Sequence, residues 1–228
     1  MTTRKDFLAA SAAIGALAPQ VALAADAEPA ATPVPLPHLN FELTAFDASL
    51  GRPAKHKHLF TSKKIENGDI FGGMAGTIFA YNAIGIPLSE VSLAGVLYHG
   101  ISVFFAFDDA IWRTYIVPYM AKGNKSVAMG TDFSSVTSHG GNPCLHTTGG
   151  ADDQSIETLI SQVGMRLYAC NRAVGGMVHA VAKFHKLDPS AVYTEFAAHL
   201  VPNAMLVPAG VWGVHAVQER GFTLLEVV

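Results

Sequence analysis

Residues 165–173, MRLYACNRA, decide how this chain of 228 residues folds. Their first six residues form a short apolar run with one charge, which is typical of a buried strand and too short for a helix. The run ends at Cys170, and residues 174–182 then follow a helical pattern. Ligands and catalytic groups lie at such strand-to-helix turns in open α/β sheets, because the carboxyl ends of the strands open into a crevice. The pattern predicts that Cys170 is the more reactive thiol, although it also fits a buried cysteine acting as a small hydrophobic residue.

The alternation of strand and helix recurs on both sides of this stretch. Short, nearly continuous apolar runs separated by helices are typical of the central strands of a parallel sheet. The sequence therefore predicts an α/β domain with three layers: a mainly parallel sheet of about five strands, with helices on both faces. The predicted strands start near residue 59 and cover 91–98, 165–170, 204–211 and 222–228, and the main predicted helices cover 70–84, 103–120, 174–182 and 212–221.

Four short motifs occur in a characteristic order along the chain. They are LYHG at 97–100, FDDAIW at 107–112, YACN at 168–171 and VPAGV at 207–211, and a helix, a glycine and a last strand follow. This order resembles that of the DsrE-like proteins, a sulfur-relay family of small α/β domains, over roughly residues 57–228. The secreted branch of that family commonly has Asn where this chain has Asp108. The resemblance implies the family's fold and a strand-end cysteine, Cys170, that carries sulfur as a persulfide.

Five residues are candidates for a site at the carboxyl edge of the predicted sheet. Cys170 and His99 are the candidate catalytic pair, because a histidine beside a cysteine lowers the pKa of the thiol and can move protons. Asn171, Asp108 and Gly100 are the candidate substrate-binding residues. We expect His99, Asp108 and Cys170 to line one pocket, while Asp108 could instead cap the helix that follows it.

The long polar connection over residues 121–150 carries His139, Cys144 and His146. It could fold over the crevice as a lid, with His139 or His146 approaching the pocket, or lie flat on the outside. Two other interpretations stay open: a disulfide between Cys144 and Cys170, and a metal site built from these three residues with Cys170. The spacing of these residues matches no established zinc motif, so we expect no metal at this site. We also expect no other cofactor.

The N-terminus has the pattern of an export signal. Arg4 and Lys5 precede an apolar run over residues 7–23, and ALA at 22–24 fits a cleavage site. The start resembles a twin-arginine signal in which Lys5 replaces the second arginine, so Tat-like and Sec export both stay open. An uncleaved anchor is the alternative, although the run is shorter than the ~20 residues a membrane span needs. The prediction is a periplasmic protein with a signal peptide (1–24), a Pro/Ala-rich linker and arm (25–56) and one domain (57–228), and without a stable membrane span after processing.

Composition limits the partners. A net charge of -3 gives no basic field, so nucleic acid is not expected as a partner. We expect a homo-oligomer, with a small sulfur compound or a sulfur-relay protein as its binding partner. The function predicted from the sequence is that of an exported sulfur carrier or small-ligand binder using Cys170. The alternatives are a non-catalytic oligomeric binding module and a metal- or redox-active periplasmic protein, and whether the chain is an enzyme stays open.

Overall fold

A computed structural model describes residues 39–51, 53–63, 68–98, 100–121, 140–150 and 153–226. The predicted signal peptide and most of the predicted linker lie outside the described residues, as do His99 and His139. The centre of the fold is a parallel sheet of five strands in the order β4-β3-β2-β1-β5. These strands are β1 (His56–Ser62), β2 (Val91–Leu97), β3 (Arg166–Cys170), β4 (Ala204–Val207) and β5 (Thr223–Glu226). The predicted fold class is confirmed.

Eight α-helices accompany the sheet within the described ranges. They are α1 (Leu43–Ser49), α2 (Asp69–Ala83), α3 (Asp109–Ile111), α4 (Val117–Ala121), α5 (Ile156–Val163), α6 (Asn171–His185), α7 (Pro189–Ala198) and α8 (Gly210–Glu219). Short 3₁₀ helices cover Leu88–Glu90 and Gly100–Ala106, and a π-helical turn, Trp112–Ile116, joins α3 to α4. Within the part of the chain that the structure covers, no helix has both the length and the apolar character needed to cross a bilayer.

Helices cover both faces of the sheet, because successive residues of a strand point to opposite sides. Leu59, Val96 and Tyr168 pack on one face with residues of α1 and α8. Phe60 and Leu97 pack on the other face with residues of α2, α5 and α6. The sheet is thus the middle of three layers.

Between β1 and β5, the helices change face at the carboxyl end of β4. The described helices α2, α5 and α6, which follow β1, β2 and β3, pack on one face, whereas α8 packs on the opposite face. Neighbouring strands β3 and β4 therefore send their connections to opposite sides of the sheet. In open α/β sheets such a switch point leaves a crevice at the carboxyl edge. Cys170, the last residue of β3, and its register partner Val207 in β4 border this switch point.

Candidate functional site

Cys170 ends β3 and caps α6. Its Sγ accepts a hydrogen bond from the backbone N–H of Ala173 at 3.4 Å. Ser, Thr, Asp and Asn usually hold this capping position, so a cysteine here places sulfur where the helix offers unpaired N–H groups and the positive end of its dipole. The residue is 6% exposed. The sulfur atom is therefore held at the carboxyl edge of the sheet, against the first turn of α6.

Two residues that sequence analysis did not single out stand in line with Cys170. Lys63 and Tyr98 directly follow the last residues of β1 and β2. The strand register places them in one row with Cys170, across three neighbouring strands. The Lys63 ammonium lies 5.4 Å from the centre of the Tyr98 ring, within the range of a cation–π contact. Since neighbouring strands are about 4.8 Å apart, the Cα atoms of Lys63 and Cys170 are separated by roughly 10 Å. The row brings a lysine side chain to the edge that holds the sulfur atom.

Gly210 brings a second helix N-terminus to this edge. A Cβ atom at position 210 would lie 1.8 Å from Cβ and 2.6 Å from Cα of Tyr98, so only glycine lets α8 start against the end of β2. Ala209 stands at the N-cap of α8 and has no side-chain acceptor. The first amides of α8 are therefore left without a capping side chain.

The structure describes two of the three remaining site candidates, Asn171 and Gly100, but not His99. The Oδ1 atom of Asn171 accepts a hydrogen bond from the Tyr193 hydroxyl at 2.6 Å, which ties α6 to α7. Gly100 starts the 3₁₀ segment just beyond β2 with a φ of 52°, a left-handed conformation that glycine adopts readily. His99 lies outside the described residues, so its expected pairing with Cys170 stays a prediction.

The structure does not bring Asp108 to Cys170, which corrects the expectation of a shared pocket. The Asp108 carboxylate caps α3 through two backbone N–H groups, at 2.9 and 3.3 Å, and lies 2.9 Å from Nδ1 of His199. The backbone around Asp108 pairs with residues 199–201, the segment that leads into the amino end of β4. Cys170 stands at the carboxyl end of β3. The buried 3₁₀ helix Gly100–Ala106 causes this separation, because it leads the chain away from the end of β2 before Asp108 is reached.

Cys144, in the long connection, is the other cysteine of the chain. Its Sγ lies against the start of α2, where a Cβ atom at Gly68 would be 2.5 Å away. Burial raises the pKa of the Cys144 thiol to about 12, so this cysteine stays protonated at neutral pH. Both cysteines are free, so the disulfide considered from the sequence is not formed.

His146, the lid candidate within the described residues, is held by two carboxylates. Its Nδ1 atom lies 2.9 Å from Glu157 of α5, and its Nε2 atom lies 3.1 Å from Asp109 of α3. Within the described ranges, no three His, Cys, Asp or Glu side chains are arranged to hold a metal ion. His139, a member of the metal set considered from the sequence, lies outside those ranges.

Comparison with known proteins assigns neither a family nor an activity to this chain. No protein-family model matches the chain, and no curated protein matches it. A solved structure titled as a protein of unknown function, MTH1491 from Methanobacterium thermoautotrophicum, is similar to 75% of this chain and 99% of its own, with 12% sequence identity and a TM-score of 0.36. At that level of likeness, neither a family nor an activity follows for this chain. Membership of the DsrE-like family stays a prediction from the sequence.

Proposed function

We propose that this protein carries sulfane sulfur as a persulfide on Cys170. The observation that carries the proposal is the position of the Cys170 sulfur atom, which ends a central parallel strand and caps the helix that follows. A helix N-terminus offers N–H groups and the positive end of a dipole, which are the features found around nucleophilic cysteines. The DsrE-like resemblance of the sequence supports the same role.

The transfer chemistry balances without an added oxidant or reductant. The Cys170 thiolate attacks the outer sulfur atom of a small persulfide or polysulfide, and a new S–S bond forms. The S–S bond of the donor breaks, and its inner sulfur leaves as a thiolate with the electron pair. Delivery is the same exchange in reverse, with Cys170 as the leaving thiolate. The N–H of Ala173 donates its hydrogen bond to the sulfur atom that enters and leaves this exchange.

The charges at this edge suit an anionic donor. Lys63 follows the end of β1, two strands away from Cys170, and the exposed Arg172 lies in the first turn of α6, two residues after Cys170. Together with the N-termini of α6 and α8, they give the edge a positive potential that attracts small anions. A polysulfide or a low-molecular-weight persulfide is the donor class that fits.

The surroundings of Cys170 favour a carrier over a binder of larger ligands. Grooves of about 530, 210 and 500 Å³ occur elsewhere among the described residues, and Cys170 lines none of the three. With 6% exposure, Cys170 can present one added sulfur atom while its surroundings limit attack by other thiols.

Two further parts of the proposal concern assembly and location. A homo-oligomer is supported by Phe79 and Ile84, which are 74% and 70% exposed at the end of α2; light scattering that gives the mass of one chain would contradict it. Export to the periplasm rests on the N-terminal pattern of the sequence. Recovery of the protein with Met1 intact would count against it.

Loading of the purified protein tests the proposed function. After incubation with polysulfide and removal of the excess, sulfane sulfur is released with cyanide and measured as thiocyanate. We expect about one labile sulfur atom per chain, lost in Cys170→Ser and retained in the matched control Cys144→Ser. Normal loading of Cys170→Ser, or loss of loading in Cys144→Ser alone, would overturn the assignment.

A further inference from the structure

His146 is held between two carboxylates that come from different helices. Its Nδ1 atom lies 2.9 Å from Oε1 of Glu157, and its Nε2 atom lies 3.1 Å from Oδ2 of Asp109. An ionised carboxylate can only accept hydrogen bonds, so each contact requires a proton on the ring nitrogen that faces it. Only the imidazolium form of histidine carries both protons. The geometry is therefore that of a charged His146, and we call Asp109, His146 and Glu157 the clasp.

Further contacts attach the clasp to the end of the long connection. Asp109 also pairs with the Arg113 guanidinium at 2.5 Å and accepts a hydrogen bond from the backbone N–H of Asn142 at 2.9 Å. Glu157 accepts a hydrogen bond from the backbone N–H of Thr147 at 3.1 Å. The clasp thus fastens residues 140–147 to α3 on one side and to α5 on the other.

His146 is the member of the clasp that lines a cleft containing Cys144. The cleft has a volume of about 210 Å³, and its lining includes Gly68, Phe71, Cys144, His146 and Asp153. The Asp153 carboxylate, the other charged group in this lining, accepts hydrogen bonds from the backbone N–H groups at positions 148, 149 and 155.

The residues just before His146 are anchored separately from the clasp. The Asn142 side chain donates hydrogen bonds to the carbonyl groups of Phe105 and Phe107, and Leu145 is 5% exposed. Release of His146 would therefore loosen the wall of the cleft while the backbone at Cys144 keeps its position.

We propose that His146 is a proton-operated clasp: as an imidazolium it ties α3 to α5 across the end of the long connection, and loss of one proton releases one carboxylate and opens the cleft beside Cys144. This device is independent of the sulfur chemistry at Cys170, so either proposal can fail without the other.

The direction of the pH effect follows from the contacts. Hydrogen bonds to Asp109 and Glu157 raise the pKa of His146 above its ordinary value near 6.5, against a smaller opposing effect of burial. Burial opposes ionisation of Asp109, but the Asn142 amide, His146 and Arg113 outweigh it and lower the pKa of this carboxyl below 3.8. The clasp is closed while both groups are charged. It opens as the pH rises through the raised pKa of His146, and again in strong acid as Asp109 gains a proton.

Alkylation of Cys144 tests the clasp directly. The test uses a Cys170→Ser background, in which Cys144 is the one thiol left in the sequence. The rate at which a small neutral reagent labels Cys144 is measured in this background and again after the additional substitution His146→Gln. At about pH 6, we expect roughly fivefold faster labelling in His146→Gln, because a charge-assisted hydrogen bond that keeps the cleft closed is missing. As the pH is raised towards about pH 9 the two rates should converge, because wild-type His146 loses its proton once the pH passes its pKa. A charged imidazolium near Cys144 favours the thiolate, so its loss in His146→Gln slows labelling and opposes the expected increase. Faster labelling of the variant at about pH 6 therefore reports opening of the cleft.

A matched control and a second variant complete the test. His215 pairs with Glu219 at 3.1 Å on the exposed side of α8, so His215→Gln removes a comparable ion pair elsewhere and should leave Cys144 labelling unchanged. Glu157→Gln should lower the pH at which protection of Cys144 is lost. Equal rates for His146 and His146→Gln at about pH 6, or the same excess at both pH values, would overturn the proposal.

Discussion

At the scale of single residues, the two cysteines show what the sequence can reveal. Cys170 could be placed in advance because it ends an apolar run and precedes a helical pattern, and strand ends are defined by such local signals. Cys144 could not, because it lies in an aperiodic connection whose packing depends on α2 and α5. Its burial against Gly68 is a tertiary contact without a local signature.

Replacement of Gly210 should change the packing of α8 against the candidate site while leaving the reactive side chain, Cys170, in place. In Gly210→Ala, the new Cβ would overlap Tyr98, including its backbone, so α8 must move away from the end of β2. We expect a loss of about 1–3 kcal/mol or more in the free energy of unfolding, measured in urea.

Gly176→Ala is the control for this substitution. Gly176 lies in α6, is exposed, and would meet no atom within 4 Å of an added Cβ. The free energy of unfolding should rise by up to about 1 kcal/mol, because alanine is the better helix former. Equal effects of the two substitutions would contradict the described contact between α8 and β2.

At the scale of elements, the strands were easier to predict than one of the helices. The runs 91–98 and 165–170 agree with β2 and β3 to within one residue, because buried parallel strands are marked by continuous apolar sequence. The predicted helix over 103–120 is wrong in its first half. Residues 100–106 form a buried 3₁₀ helix, and a new helix starts only after Asp108. The aromatic run there fits a helical period, but burial on all sides and the Asp108 cap decide the conformation.

Asp108 has a structural role, so its replacement should separate stability from sulfur loading. In Asp108→Ala, α3 loses its cap and His199 loses its carboxylate partner. We expect the free energy of unfolding to fall by about 1 kcal/mol, while thiocyanate release after polysulfide loading stays at the wild-type level. Loss of loading in a variant shown to be folded by circular dichroism would return Asp108 to the sulfur site.

At the scale of the whole molecule, the predicted α/β class is confirmed, but the composition of the site depends on the order of the strands. Lys63, Tyr98 and Cys170 are far apart in sequence and form one row only because β1, β2 and β3 are neighbours in the sheet. Hydrophobic patterns identify parallel strands but do not give their order. The switch of α8 to the opposite face likewise depends on the packing of the complete sheet, which no local stretch encodes.

The most direct test of the central claim is the mass of Cys170 in protein isolated from the cells that make it. Persulfides are trapped with an alkylating reagent at the moment of lysis, and the peptides that contain Cys170 and Cys144 are compared by mass spectrometry. The account predicts a fraction of the Cys170 peptide that is heavier by about 32 Da than its ordinary alkylated form, with no such species on Cys144. Extra sulfur on Cys144 alone, or on neither cysteine in cells supplied with sulfane sulfur, would contradict it.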